Sequence, residues 1–191
     1  MNSHQSQIEQ QIKDSSATQF ACLAQSELIA NIASLVITAF RSGHKLFLFG
    51  NGGSASDAEH IATELSGRFK LERPSLPALS LTANTSTLTA IANDYGFEML
   101  FSRQLEGLAI KDDVVFGIST SGNSPNVING LKFAKSIGAT TIAMTGKSGG
   151  KLKEIAAHCL CIPSEDTPRI QEAHILVGHI LCDLVEKDLF G

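Results

Sequence analysis

The sequence predicts an α/β fold, a three-layer sandwich in which helices cover both faces of a parallel five-stranded sheet. Short apolar runs of strand length alternate with helical stretches through residues 44–191. Three of these runs, at 45–49, 114–118 and 140–144, end in a turn of small residues that leads into a helical stretch. Such repeated strand–turn–helix units are typical of parallel sheets that are buried on both faces.

The segment 1–43 is predicted to be helical. Apolar residues recur there with the spacing of one helix face, namely Leu28, Ile32, Leu35, Val36 and Phe40. Gly43 follows where a glycine commonly ends a helix. Ile8 and Ile12 indicate an earlier helix, which we expect to lie against a partner subunit. The apolar stretch 29–40 contains polar residues and is too short to cross a bilayer, so we expect no membrane span.

The remaining elements follow in order along the chain. Strands are predicted at 45–49, 78–81, 114–118, 140–144 and 158–162, and helical stretches at 55–69, 85–92, 125–137, 150–157 and 168–189. In open parallel sheets ligands bind beyond the carboxyl ends of the strands. We therefore expect the three small-residue turns to converge on one crevice.

Composition excludes several classes of protein. The chain has 191 residues, 15 Lys and Arg against 19 Asp and Glu, and a formal charge of −4, which argues against a nucleic-acid-binding surface. Its length suits one compact domain. The polar N-terminus does not resemble a signal peptide, and we expect a cytoplasmic protein.

The four cysteines form no CxxC pair. Cys159 and Cys161 alternate along a predicted strand, which places both thiols on one face. A zinc site is one interpretation. Small buried side chains in a reducing compartment are the simpler one, and Cys22 and Cys182 fit it equally.

The first turn, Gly50-Asn51-Gly52-Gly53-Ser54, lacks the lysine of a Walker loop and the spacing of a dinucleotide fingerprint. Its glycines allow the backbone to approach a ligand closely, and Ser54 is expected to cap the following helix. A tight turn and a binding loop remain equally good interpretations of this segment.

The second turn, 119–125, favours phosphate binding. Ser124 followed by Pro125 marks a helix start, but capping leaves the hydroxyls of Ser119, Thr120 and Ser121 unexplained. Hydroxyl and amide donors at a helix N-terminus suit a phosphate dianion. Because no Arg or Lys is adjacent in the sequence, we expect mainly neutral donors to hold the phosphate.

Four helical residues are candidates for chemistry. His60 and Glu64 lie four apart and share a helix face. Gln171 and His179 lie eight apart on the last helix, about 12 Å along its axis. A straight helix would not aim both side chains at one atom. Gln171 reaching toward the C-terminus, a distorted helix, and a site shared by two subunits all remain open.

Two further polar segments have ordinary interpretations. His174 is five residues from His179, an awkward helical offset, and we expect it to be an interior or interface histidine. Asn93 and Asp94 follow a helical stretch and precede Gly96, and their residue types favour a turn.

Taken together, the motifs resemble the phosphoheptose isomerase family, whose members have the sugar isomerase (SIS) fold. The resemblance covers essentially the whole chain. It rests on Gly-Asn-Gly-Gly-Ser at 50–54, Ile-Ala-Asn-Asp-Tyr-Gly at 91–96, Ile-Ser-Thr-Ser-Gly-Asn-Ser at 118–124 and Pro-Arg-Ile-Gln-Glu-Ala-His at 168–174. Pro168 stands where some members have an aspartate, so a role for an acid there is in doubt.

The resemblance implies a single SIS domain over 1–191, with the helices of 1–43 packing in an oligomer and 44–191 forming the sugar-phosphate-binding core. It implies a homotetramer with active sites at subunit interfaces. Implied substrate contacts are Asn51, Gly52, Gly53, Ser54, Glu64, Asn93, Asp94, Ser119, Thr120, Ser121, Ser124 and Gln171. Implied ligands of one zinc ion per subunit are His60, Glu64, Gln171 and His179.

The implied reaction converts sedoheptulose 7-phosphate into D-glycero-D-manno-heptose 7-phosphate, at the start of heptose synthesis for lipopolysaccharide. A ketose–aldose conversion moves a proton between neighbouring carbons and another between their oxygens. We assign the first to Glu64 and the second to His179, because a carboxylate and an imidazole suit these roles. A zinc-bound carboxylate is a poorer base, so either Glu64 leaves the metal during turnover or the metal mainly organises the site.

Three other functions compete. A related SIS group binds the bacterial replication initiator and lacks equivalents of Glu64 and His179. Sugar-phosphate-sensing SIS domains accompany a basic DNA-binding region, which this chain does not contain. An isomerase of another phosphosugar remains open, because the turns do not reveal the length of the sugar.

Overall fold

A computed structural model describes residues 3–191 and has the predicted sheet. Five parallel strands lie in the order β2-β1-β3-β4-β5. Their bounds are β1 Leu46–Gly50, β2 Ala78–Ser80, β3 Val114–Ser119, β4 Thr140–Thr145 and β5 His158–Cys161. All five predicted strands are confirmed, with ends that differ by one residue or less.

Most residues of β1, β3 and β4 are buried because the sheet is covered on both faces. In β1 the side chains of Leu46 and Leu48 enter one core, whereas Phe47 and Phe49 enter the other. This alternation follows from the two-residue period of a strand. The molecule is therefore the predicted three-layer sandwich.

The helices surround this sheet. Their bounds are α1 Ser3–Ala21, α2 Ser26–Arg41, α3 Gly53–Ser66, α4 Thr85–Tyr95, α5 Leu100–Leu108, α6 Pro125–Ser136, α7 Leu152–Ile155 and α8 Thr167–Phe190. Single 3₁₀ turns occupy Cys22–Gln25 and Phe97–Met99. Gly43 has a φ of +79°, as expected just beyond the end of α2.

Sequence analysis did not predict α5. This helix has nine residues, and its inner face carries Phe101 and Leu105, both fully buried beneath α6. Phe101 also stacks on Phe49 of β1, with ring centroids 4.6 Å apart. Its apolar residues do have helical spacing, but a run of nine residues is too short for that period to be recognised in the sequence.

Two local predictions are wrong. Gly52, with a φ of +56°, occupies the cap position of α3, and Ser54 lies inside the first turn of that helix. Glycine takes this backbone conformation without a Cβ clash, so the helix starts earlier than expected. Asn93 and Asp94 belong to the last turn of α4 rather than to a turn, because α4 continues until Gly96, whose φ is +93°.

The helical run Ser3–Arg41 is long and apolar enough to span a bilayer by length and composition, with a mean hydropathy of 1.6 over one window. Core helices of soluble proteins pass the same test. The α2 part is such a helix, since Ile29, Ile32, Val36 and Ile37 are buried in the core. In contrast, α1 buries none of its residues within this chain.

Helices α3 and α8 lie side by side on one face of the sheet, and this contact positions the candidate site. Gly178 of α8 faces Ile61 of α3 so closely that a Cβ at position 178 would stand 2.7 Å from the Ile61 side chain. At the start of α3, Gly53 faces Gln171 in the same way. The two helices therefore run together from the N-terminus of α3 to its end.

Candidate functional site

The turns after β1 and β3 meet where the strand order reverses. Neighbouring strands β1 and β3 send their following helices to opposite faces of the sheet, which is where ligands bind in folds of this type. Asn51 and Asn126 join the two turns through reciprocal amide hydrogen bonds of 2.9 and 2.8 Å. Asn126 is fully buried, and sequence analysis did not identify it. Asn126 thus engages both the oxygen and the nitrogen of the Asn51 side-chain amide.

The turn after β3 gathers hydroxyl groups. Ser119 Oγ lies 3.0 Å from Ser124 Oγ and 3.5 Å from Ser121 Oγ. Ser124 occupies the cap position of α6 as predicted, but its hydroxyl pairs with Ser119 instead of capping the helix. At the start of α6, Pro125 has no N–H and the Val127 N–H donates to Asn126 Oδ1 at 3.0 Å. The hydroxyls and the Asn126 N–H, which has no hydrogen-bond partner among the described residues, are the donors suited to a phosphate at this turn.

The turn after β4 closes against the turn after β3. Gly122 and Gly149 approach so closely that a Cβ on Gly122 would stand 2.1 Å from the Gly149 carbonyl oxygen. The N–H of Gly146 also donates to the Thr120 carbonyl at 2.9 Å. The glycines at 122 and 149 have φ values of +65° and +75° and permit this contact.

A cavity of about 420 Å³ opens between these turns and the loop before α8. Thr120, Ser121 and Asn123 line one side, and Lys147, Ser148 and Glu165 are among the residues of the other. One cation and one carboxylate, Lys147 and Glu165, therefore lie across the cavity from the neutral side chains of this turn. Lys147 is 26 residues after Ser121 in the sequence. It reaches the same cavity because β3 and β4 are parallel neighbours, so that the turns after them lie side by side.

Three candidate catalytic residues converge at the side of α3 that faces α8. His60 Nε2 lies 2.9 Å from His179 Nε2 and 3.2 Å from Glu64 Oε1. One donor atom from each residue lies within 4.8 Å of the other two. All three come from the same chain, which the sequence alone left open. Two imidazoles and one carboxylate form a donor set typical of catalytic zinc sites.

Gln171 does not join His60, Glu64 and His179. Its side-chain amide packs against Gly53 at the start of α3. From there, seven helical residues, about 10 Å, separate Gly53 from His60. Helix α8 continues through this region, with Pro168 in its first turn, where a missing N–H costs nothing. Gln171 is thus placed beside the first turn and apart from the three convergent residues.

The remaining candidates are more scattered. Ser54 is buried in the first turn of α3, and Gly52 and Gly53 are exposed beside it. Asn93 and Asp94 are exposed at the end of α4, where the Asn93 amide donates to Asp94 at 2.7 Å. Within residues 3–191, the structure does not join this pair to the hydroxyl turn or to the His60 cluster by any hydrogen bond.

Asp57 is a titratable residue that sequence analysis missed. It lies one turn before His60 on α3, and its Oδ2 is buried without a hydrogen-bond partner among the described residues. Burial raises the pKa of this carboxyl to about 6, although nearby His60 acts in the opposite direction. Asp57 is three residues before His60 and seven before Glu64, so its spacing in the sequence already indicated that the three share one helix face.

His174 is an interior residue, as predicted. It is fully buried, and its Nε2 lies 3.2 Å from the Thr145 carbonyl oxygen. Burial lowers the pKa of His174 to about 4, so the imidazole is neutral near pH 7. Cys159 and Cys161 do share one face of β5, with sulfur atoms 3.6 Å apart. They and the other two cysteines are free thiols.

Known proteins match this chain over most of its length. The SIS domain family model matches residues 12–146. A phosphoheptose isomerase from Aquifex aeolicus is 57% identical over 162 residues, which cover 85% of each chain.

Solved structures of phosphoheptose isomerases have the same fold. The Neisseria gonorrhoeae structure superposes with a TM-score of 0.92 at 38% identity, covering 97% of this chain and 100% of its own. The Francisella tularensis structure has a TM-score of 0.93 at 33% identity, covering 97% and 99%.

We expect Lys147→Gln to weaken binding of inorganic phosphate about threefold to tenfold, since one exposed charge contact contributes on the order of 1 kcal/mol. Isothermal titration calorimetry at low salt measures this affinity. The control is Lys151→Gln, which removes a neighbouring positive charge that does not line the cavity. Equal phosphate affinity in wild type and Lys147→Gln would show that Lys147 does not take part in binding phosphate at this cavity.

Proposed function

The chain belongs to the phosphoheptose isomerase family of SIS-domain proteins, and from this membership we propose that it isomerises sedoheptulose 7-phosphate to a heptose 7-phosphate. The observation that carries the proposal is the convergence of Glu64 and His179 in one chain. A carboxylate and an imidazole at one place are the groups that a ketose–aldose conversion requires. The enzyme therefore serves heptose sugar-phosphate metabolism, at the start of activated heptose synthesis.

We propose that the phosphate binds at the hydroxyl turn. Ser119, Thr120, Ser121 and Ser124 supply hydroxyl groups, and Asn126 at the start of α6 supplies its N–H. Gly52, Gly53 and Ser54 border the sugar at the start of α3, with Gln171 beside them. The sugar then extends along α3 toward His60, about 10 Å away. This separation favours a long-chain sugar phosphate.

In the proposed mechanism, Glu64 takes the proton from carbon and returns it to the neighbouring carbon of the enediol. His179 moves the proton between the two sugar oxygens. His60 lies within hydrogen-bond distance of both residues and fixes their mutual orientation. The neutral donors of the turn hold the phosphate, so the reacting carbons stay at the other end of α3. Asn93 and Asp94 are proposed to contact the sugar from α4.

We further propose one zinc ion per subunit, held by His60, Glu64 and His179. Glu64 and His179 would leave the metal while they move protons, because an electron pair given to zinc cannot accept a proton. The donor set fits, because two imidazole nitrogens and a carboxylate oxygen converge within 4.8 Å. When bound, zinc would polarise the carbonyl oxygen of the sugar. Gln171 remains a proposed ligand or substrate contact. Its distance from the cluster in this chain means that joining one metal would require a second subunit.

Glu64→Gln and His179→Asn are each expected to lower kcat by at least about a hundredfold, since each removes one proton-transfer group. An assay of sedoheptulose 7-phosphate conversion measures this loss. Matched controls are Glu59→Gln on the exposed side of α3 and His158→Asn on β5, which should retain activity. Near-wild-type turnover by either folded site variant would remove that residue from the mechanism.

Exhaustive chelation is expected to abolish isomerase activity, and zinc added back should restore it. Elemental analysis of the restored protein should find one zinc per chain, and His60→Ala should lower that content. A metal-free protein that keeps full activity would exclude a catalytic zinc.

We propose a homotetramer, supported by an apolar groove of about 320 Å³ between the N-terminal helices and α8. Its lining includes Cys22, Leu23, Ile29, Leu176, Ile180 and Leu184. A second copy of the chain would cover Leu23, Ile180 and Leu184, whose exposure is otherwise unfavourable. Light scattering should then give a mass about four times 20.3 kDa. A mass of one chain at assay concentrations would contradict the tetramer.

A cytoplasmic location is also proposed. Free thiols at Cys159 and Cys161, close enough to pair after a small movement, are typical of a reducing compartment. Cell fractionation that placed the protein with the membranes or outside the cell would contradict this location.

A further inference from the structure

A buried ion pair lies at the C-terminal end of α3. Arg73 Nε and Glu186 Oε1 are 3.0 Å apart, and both side chains are 1% exposed. The Glu186 carboxylate also accepts hydrogen bonds from the N–H groups of Phe69, Lys70 and Leu71 at 3.0, 2.7 and 2.9 Å. Burial raises the pKa of Glu186, but these hydrogen bonds outweigh it and hold the pKa below its ordinary value. The loop after α3 is therefore fastened to α8 by one ionised side chain.

Arg73 fastens the end of α3 itself. Its guanidinium donates to the carbonyl oxygens of Glu64 at 2.9 Å, Leu65 at 2.7 Å and Gly67 at 3.2 Å. The last carbonyls of a helix have no partner within the helix, and a cation there satisfies them and the negative end of the helix dipole. The backbone of Glu64, a proposed catalytic residue, is thus held directly by Arg73.

The fastened loop places one aromatic ring on the other proposed catalytic residue. The Phe69 ring stacks on the His179 imidazole, with centroids 5.6 Å apart and planes 27° apart. Lys70 Nζ lies 5.0 Å from the centroid of the same ring and pairs with Asp183 at 2.8 Å. The Phe69 ring therefore contacts His179 of α8 and the ammonium group of Lys70, and the Phe69 N–H donates to Glu186.

We propose that Arg73, Glu186 and Phe69 form a positioning device for the isomerisation assigned above. The ion pair holds the loop and the Glu64 backbone, and the Phe69 ring restricts rotation of the His179 imidazole. None of the three takes part in proton transfer. This inference rests on the proposed function, and it explains why a fully buried charge pair stands at this end of α3, since burial of charges is costly by itself.

The chain offers a matched pair of phenylalanines for the test. Phe69 contacts His179, whereas the Phe190 ring lies 5.8 Å from the Arg73 guanidinium and contacts the same ion pair from outside the site. Phe69→Leu and Phe190→Leu therefore remove the same atoms next to the same network. Phe69→Tyr keeps the stacked ring and is the conservative rescue. Phe69→Met is a second ring-free variant if Phe69→Leu does not fold.

Phe69→Leu is expected to lower kcat for sedoheptulose 7-phosphate about tenfold or more, because small misplacement of a catalytic group is costly. Its KM should stay within twofold, since the phosphate turn lies at the other end of α3. Phe190→Leu and Phe69→Tyr should stay within twofold of wild type in both constants. The melting temperatures of the two leucine variants should be similar.

A second readout does not depend on activity or metal. In the nuclear magnetic resonance spectrum of the metal-free protein, the ring protons of His179 should be shifted by the Phe69 ring current. The shift should disappear in Phe69→Leu and persist in Phe190→Leu. An active wild type whose kcat is matched by Phe69→Leu would overturn this inference alone. A wild type without isomerase activity would overturn the proposed function as well.

Discussion

The site depends on one packing constraint, the close contact of α3 with α8. Gly178 allows Ile61 to lie against the α8 backbone, and Gly53 leaves room for the Gln171 amide. Because the two helices stay together over their shared length, they present two groups of residues about 10 Å apart. Gln171 lies beside Gly53 at one end, and His179 meets His60 and Glu64 further along.

Charge is used differently at the two ends of this helix pair. The turn after β3 carries neutral hydroxyl groups, with Lys147 as a cation on the far wall of the cavity. Neutral donors avoid the cost of burying a charge when no ligand is bound. At the other end, the Arg73–Glu186 pair is buried, but its members satisfy one another and the backbone around them. The Arg73–Glu186 pair therefore stabilises the backbone at the end of α3, whereas Lys147 lies at the cavity.

Sequence patterns predicted the sheet well and the site in part. Apolar runs with a two-residue or 3.6-residue period predicted all five strands and most helices, since burial imposes those periods directly. The shared face of His60 and Glu64 also followed from spacing alone. In contrast, α5 has only nine residues, too short a run for its period to be recognised, and the cap of α3 depends on the positive φ of Gly52. Asn126, Lys147 and Phe69 gave no local signal, because each acts on a residue far away in the sequence.

By itself, the sequence determined the fold class, the three turns and the chemical types of the candidate residues. Only the tertiary structure decided which of them meet. It placed His179 with His60 and Glu64 in one chain and left Gln171 beside Gly53. It also joined the Asn51 side chain to Asn126 by hydrogen bonds and placed Lys147 at the cavity beside the turn after β3. The physical reason is that helical and strand periods specify which face a residue occupies, whereas contacts between elements depend on packing across the whole domain.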